Sequence, residues 1–384
     1  MFVHDSLIRH NLIFMKHWGV FFLLMLFCSC RTVPRPVNPE ASEEAASLLE
    51  FLYSISGKYI LSGGHNFVSS GSRYHEKIKE ITGKYPVVWG SDFSFCVTGE
   101  NARHYHHCGP MNLTDYADSF AYIHLSADTL RMRMVREAIR QWEKGHIITL
   151  MWHCCFPPDG DTCMGSSIWA MENRPNQAVW DSLTTDGTAL NRAWKKQVDG
   201  IAYYLKILRD AHVPVLWRPY HEMNGVWFWW CNHRGDEGFR KLWKMMYHYL
   251  TCEHHLNNLL WVWDANAPRN KPGDEAYAYE WFYPGNDYVD VLAADIYGND
   301  YRASHYDQLL ALGGGKPIAM GEVGELPSDS ILTAQPRWSW FMTWGYFICS
   351  KHNPPEKVIQ LYSSPQLLTA DEVYRDKQGR WHVR

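Results

Sequence analysis

VPVLWRPYHEMNGVWFWW, residues 213–230, changes character a third of the way along. Val213–Trp217 is an apolar run without polar alternation, as a strand buried on both faces requires. Immediately after it come Arg218, His221 and Glu222, and then Trp227, Phe228, Trp229 and Trp230. Short apolar runs of this kind recur along the chain at Tyr59–Leu61, Val87–Trp89, Ile147–Trp152, Leu259–Trp263, Val289–Asp295 and Pro317–Met320, with an eighth near Phe341–Phe347. Longer amphipathic segments separate them. Leu130, Met134, Val135, Ala138, Ile139 and Trp142 share one helical face, with Asp128 and Gly145 as end signals, and Ala193, Trp194, Val198, Ile201, Leu205 and Leu208 share another. Eight strand–helix alternations predict an α/β fold, a (β/α)8 TIM barrel with long βα loops, over residues 46–384. An open doubly wound sheet is the competing fold. The first strand, however, is followed by SGGHNFVSSG, which lacks the G-x-G-x-x-G spacing of a phosphate turn.

In such a barrel, chemistry sits where strands end and βα loops begin. Glu222 follows the fourth apolar run. Glu322 follows the seventh, in KPIAMGEVGELP, one hundred residues further on. Both would project from strand ends at the same mouth. Paired carboxylates there suit glycoside hydrolysis, in which one protonates the leaving oxygen while the other attacks or activates water at the anomeric carbon. The aromatics after Glu222 then offer flat faces to sugar rings, although Phe228, Trp229 and Trp230 cannot all face a ligand. Glu325 competes with Glu322 but lies further along the loop, beyond Gly324.

RPYHEMNGVWFWW resembles the signature of glycoside hydrolase family 26, dominated by β-mannanases. Related barrels usually carry Asn before the acid/base Glu, whereas family 26 carries His, as His221 does here. The resemblance extends to MGEVG at strand seven, DIYG after strand six and the Trp152–His153 pair after strand three. It implies a retaining double displacement with Glu222 as acid/base and Glu322 as nucleophile. Arg218 or the Tyr297 hydroxyl would stabilise the Glu322 anion, and His221 would orient substrate or nucleophile. His153 and Asp295 match the family's contacts to sugar hydroxyls, Trp227 its cleft-lining aromatic, and Trp344 its stacking tryptophan. One departure stands out: His153 is followed by CCFPPDG, where the family often shows Asn-Pro. The resemblance implies an endo-acting β-1,4-mannanase acting on β-mannan or manno-oligosaccharides as a monomer, with no metal and no cofactor.

The first thirty residues read differently. Apolar residues run from Val20 to Phe27, behind Lys16 and His17 and ahead of Ser29 and Cys30. This is the layout of an export leader, too short to span a bilayer as a helix. Met15 makes a better start than Met1, and L-F-C-S-C resembles a lipoprotein signal that would lipidate Cys30. A proline-rich tether over residues 31–45 would follow. These features predict an exported protein, anchored in the bacterial cell envelope by lipid alone. Exposure to oxidant makes Cys96–Cys108, or a closure of Cys154 or Cys155 onto Cys163, candidate disulfides. A net charge of −4 without any basic block excludes a nucleic-acid footprint, and 19 tryptophans exceed what a core of this size usually takes, pointing to contact platforms.

Rival readings keep parts of this. The same machinery could release mannobiose from chain ends, if loops near Cys96–Cys108 or Cys154–Gln177 close the cleft, or could take xylan or mixed-linkage glucan. A glycan-binding lipoprotein without activity is opposed by the presence of both carboxylates. A zinc hydrolase is opposed by Gly225, since HEMNG has no second histidine for an H-E-x-x-H site. HYHHC, His104 to Cys108, has ligand-type residues but no second pair at metal spacing.

Overall fold

Eight parallel strands close into one ring in the computed structural model, which describes residues 34–68, 70–93, 96–97, 105–106, 126–161, 163–170 and 174–384. The strands are β1, interrupted at Ser62 into Ile60–Leu61 and Gly63–His65, then β2 (Val88–Asp92), β3 (Ile147–Trp152) and β4 (Val215–Pro219), followed by β5 (Leu259–Asn266), β6 (Val291–Ile296), β7 (Ile318–Val323) and β8 (Trp338–Thr343). Each pairs in parallel with its neighbours in chain order, and β8 closes the ring onto β1 through Thr343 and Gly64. The predicted (β/α)8 barrel is the observed one.

Helices cover the ring by burying the faces their spacing predicts. In the helix Ala127–Glu143, Leu130, Met134, Val135, Ala138 and Trp142 are buried. Its cap is Ser126, whose hydroxyl accepts from the Thr129 N–H, two residues before the Asp128 expected from sequence. Gly145, with φ +96°, turns the chain away after its end. The helix Ala189–Asp210 likewise buries Trp194, Val198, Ile201, Leu205 and Leu208. Between β5 and β6 the described elements are two short 3-10 turns, Tyr279–Trp281 and Asn286–Tyr288.

The tryptophans are mostly core. Trp89, Trp217, Trp261, Trp263, Trp338 and Trp340, all on barrel strands, are 0 % exposed. Emptying such a site by truncation to alanine costs about 3–5 kcal/mol. Of the two loop residues next to the cleft motif, Trp229 and Trp230 pack under the loop rather than over a ligand.

Two boundaries are corrected. The expected eighth strand, Phe341–Phe347, begins earlier, at Trp338, and gives way to a 3-10 turn, Gly345–Cys349, because Gly345 adopts φ +20°. The expected tether over residues 31–45 is no tether from residue 34 onward. Pro36 and Asn38 are buried, the Val37 N–H donates to Asp290 (2.7 Å) and the Ser42 N–H donates to the Asn257 carbonyl (2.7 Å). Backbone donors in a proline-rich segment find acceptors at the barrel's N-terminal end, and the helix Glu43–Ile55 then starts on a Ser42 cap. The leader with Cys30, and His104, His107 and Cys108, lie outside the described residues. Of the remaining disulfide candidates, Cys155–Cys163 is formed, and Cys154 is a buried free thiol.

Candidate active site

The chain leaves β4 through a strained turn. Tyr220 and Glu222 both hold left-handed backbone, φ 52° and 55°, a conformation that costs a residue with a Cβ about 1–2 kcal/mol. The turn is pinned by hydrogen bonds: the Glu222 N–H donates to the Asp264 carbonyl (2.8 Å), and the Cys231 thiol donates to the Glu222 carbonyl (3.1 Å). Across the mouth, register places Asn266, Asp295 and Glu322 side by side at the ends of β5, β6 and β7. Glu222 and Glu322 thereby line a single cleft of about 380 Å³, within the size range of small-ligand sites.

The two carboxylates are buried alike and partnered differently. Glu222 accepts from Asn266 Nδ2 (2.5 Å) and from Trp227 Nε1 (2.7 Å), both neutral donors. Burial, then the nearby negative Glu322, pushes its carboxyl up to about 8. Glu322 accepts from Arg218 Nη2 (3.1 Å) and from the Tyr297 hydroxyl (2.7 Å). Burial raises Glu322 too, but the Arg218 cation and the Tyr297 donor oppose that rise directly at its two oxygens. Near neutrality, Glu222 is therefore the group that keeps its proton and Glu322 the one favoured as an anion.

Beneath this pair lies a buried charge cluster. Arg218 pairs with Asp264, Asp295 (3.3 Å) and Glu322 (3.1 Å), one cation against three carboxylates. Burial, followed by the charges of Asp264 and Glu322, lifts Asp295 well above the usual carboxylate range. Burial raises Asp264 as well, and the adjacent Arg218 cation opposes that rise. His221, Asp295 and Glu322 bring ligand-type atoms within 4.8 Å of one another. Both Glu322 oxygens are already engaged, however, and the Arg218 cation opposes a second cation there.

Histidines and aromatics complete the walls. The His153 ring is fixed by Asp92, which meets Nδ1 at 2.5 Å and accepts the His153 N–H at 3.2 Å. His221 packs edge-on to His153, 4.3 Å between ring centres, and burial, then the neighbouring His153 and Arg218, hold it well below the usual imidazole range, hence neutral. Trp344 stacks on His65 at 4.1 Å, which covers one face of its ring.

The family profile for glycosyl hydrolase family 26 matches residues 37–103 and 108–372. The chain belongs to glycosyl hydrolase family 26. The mannan endo-1,4-beta-mannosidase of Thermothelomyces thermophilus is 31 % identical over 385 residues, covering 93 % of this chain and 68 % of that enzyme. The chain spans about half the length of two related Piromyces sp. enzymes, 51 % and 54 %. Among solved structures, GH26A from a Muricauda species is 45 % identical, with a TM-score of 0.76, covering 87 % of this chain and 99 % of that one. A beta-mannanase from a symbiotic protist of the termite Reticulitermes speratus, complexed with gluco-manno-oligosaccharide, is 30 % identical, with a TM-score of 0.66, covering 88 % and 96 % respectively.

The family 26 cleft gathers Glu222, Glu322, His153, His221, Trp227, Tyr297 and Trp344, all anticipated from sequence. Asp295 is 0 % exposed and paired with Arg218 beside Glu322, outside the lining of the cleft. Arg218 likewise sits below the cleft surface, as its contact with Glu322 requires. Sequence reading missed Asn266, Arg269, Asp274 and Trp169, which also line the family 26 cleft. Asp264 and Asn266 carried a signal, since WVWDAN ends an apolar run in polar residues at a strand terminus. Trp169, 37 % exposed and packed on Phe228 at 4.8 Å, carried none, because it reaches the cleft from a long loop.

Proposed function

We propose that this chain is a retaining, endo-acting β-1,4-mannanase, with Glu322 as nucleophile and Glu222 as acid/base. The Glu322 carboxylate attacks the anomeric carbon as the bond to the leaving sugar oxygen breaks, and that oxygen takes the Glu222 proton. Water then attacks the same carbon, gives a proton to Glu222 and releases Glu322. Esterification removes the Glu322 charge, which lowers the barrier to Glu222 ionising in time for the second step. The observation that carries this reading is the unlike partnering of two buried carboxylates in one cleft: neutral donors on Glu222, a guanidinium and a phenol on Glu322. The names of the relatives support the substrate class, and a gluco-manno-oligosaccharide in a related structure supports a chain-like ligand. Export and lipid attachment at Cys30 belong to the same proposal on the strength of the leader sequence. Incorporation of labelled fatty acid, lost in Cys30→Ala, is the outcome it requires.

Timed product analysis on linear mannan tests the activity. A spread of oligosaccharides at early times is expected, whereas mannobiose alone from the outset would replace endo action with chain-end release, and cleavage of xylan but not mannan would overturn the substrate. Glu222→Ala tests the roles. It should lose most activity on mannan yet keep more on aryl glycosides with good leaving groups, which need less protonation. Equal loss on both would count against Glu222 as the acid.

A further inference from the structure

Arg269 stands three residues past β5, at the rim of the cleft, with 26 % of its side chain exposed. Its guanidinium makes four contacts. Nη1 donates to Asn266 Oδ1, Nε donates to the Asp274 carbonyl (2.9 Å), Nη2 donates to the Asp274 carboxylate, and the guanidinium carbon lies 5.0 Å from the centre of the Trp227 ring. Asn266 and Trp227 are the two side chains that donate to Glu222. A single guanidinium therefore touches both of the acid's hydrogen-bond donors.

The Asn266 contact has a particular consequence. A carboxamide is an acceptor at one end and a donor at the other, and rotating it by half a turn exchanges them. Arg269 carries donors only, so the Asn266 oxygen must face it and the Asn266 nitrogen must face Glu222. In that orientation Asn266 hydrogen-bonds to the ionised form of Glu222. Released to rotate, the amide can present its oxygen instead, and that end suits only the protonated form. Trp227 is a donor without an alternative, but its indole nitrogen reaches Glu222 only while the ring stays in place under the Arg269 plane.

We propose that Arg269 is a positioning residue that sets the pH range in which Glu222 exchanges its proton, by locking the Asn266 amide nitrogen toward Glu222 and holding the Trp227 ring. The inference rests on the acid/base role proposed above. Burial and Glu322 drive Glu222 toward the neutral form, while Asn266, Arg269 and Trp227 pull the other way. Without that opposition the acid would hold its proton too firmly to serve as the base that activates water. The other groups facing Glu222 are Glu322 from β7, Asp295 and Tyr297 from the end of β6, and the Cys231 thiol from its own loop. Arg269 itself is faced by Asp274, with Lys271 paired to the same carboxylate. Removing Arg269 leaves Asp274 less neutralised, which acts on Glu222 in the same direction as the loss of the guanidinium.

The test is the pH dependence of kcat/KM on a manno-oligosaccharide for the wild type, Arg269→Met and Arg269→Lys. Loss of the acid's proton sets the basic limb of the wild-type profile. In Arg269→Met that limb should move up by about 0.5–1 pH unit. In Arg269→Lys, which keeps the charge but not the fork, it should move up by less. A limb that coincides with wild type in Arg269→Met overturns the proposal, and a raised KM with an unmoved limb would make Arg269 a substrate contact only. Should Arg269→Met fail to fold, the lysine variant decides, and an unmoved limb in it counts against the inference. A wild type that shows no activity on manno-oligosaccharides takes down the functional reading and this inference together. An active wild type with unmoved variants takes down this inference alone.

Discussion

Burial alone pushes Glu222 and Glu322 toward the neutral form, and the atoms that touch their oxygens separate them. Two neutral donors leave Glu222 with a carboxyl pushed up to about 8, whereas a guanidinium and a phenol favour the charged form of Glu322. The sign of the pH dependence follows from which form works. An acid must be protonated to act, so kcat/KM should hold through neutral pH and fall as pH rises through about 8. Initial rates on a soluble manno-oligosaccharide across that range would check it, and a profile already falling at pH ~6 would mean that Glu222 does not keep its proton. His221 adds no second titration near neutrality, because burial and the adjacent Arg218 hold it neutral.

Strands set how closely these side chains meet. On β7, the glycine before Glu322 has no side chain, and the space that a Cβ would fill is occupied by the Asp264 carboxylate leaning over from β5. That close approach is what lets Asp264 reach Arg218, and Arg218 in turn reach Glu322. Gly321→Ala should therefore displace Asp264, lower stability by about 1–3 kcal/mol and cut kcat/KM by roughly ten-fold or more. Denaturant melts and steady-state kinetics on the purified variant would read both effects. Retained full activity would show that the Asp264–Arg218 contact does not hold the nucleophile. The β4 turn is a second device at this scale, with its backbone strain at Tyr220 and Glu222 offset by hydrogen bonds to β5 and to Cys231.

At the scale of the whole molecule, chemistry and anchoring occupy opposite ends of the barrel. Asp290, just before β6, accepts the Val37 N–H (2.7 Å) at one oxygen and the Trp261 N–H (2.8 Å) at the other, tying the segment from residue 34 onward to the barrel's N-terminal end. Asparagine at this position has only one acceptor for two donors. Asp290→Asn should then cost about 1–3 kcal/mol and lower Tm by several degrees, with kcat/KM unchanged. Calorimetry beside kinetics would check this, and an unaltered Tm would mean that the segment is held by Asn38 and Ser42 without Asp290.

The sequence by itself determined the ring of strands and the two carboxylates at its mouth. Both rest on neighbours in the chain: an apolar run such as Val213–Trp217 is a buried strand wherever it lies, and its last residues face the mouth because strand direction is inherited from the fold. The same locality misled at residue 34 onward, where a polar, proline-rich stretch looked like tether until acceptors just before β5 and β6 were in reach. It was silent at Asp295, whose position in DIYG says nothing of its pairing with Arg218. Tertiary structure alone decided which acid keeps its proton and which residues support it. A carboxylate's charge state depends on atoms within a few ångströms, and Asn266, Trp227, Arg218 and Tyr297 reach Glu222 and Glu322 from three different strands and their loops, at distances that only the closed barrel establishes.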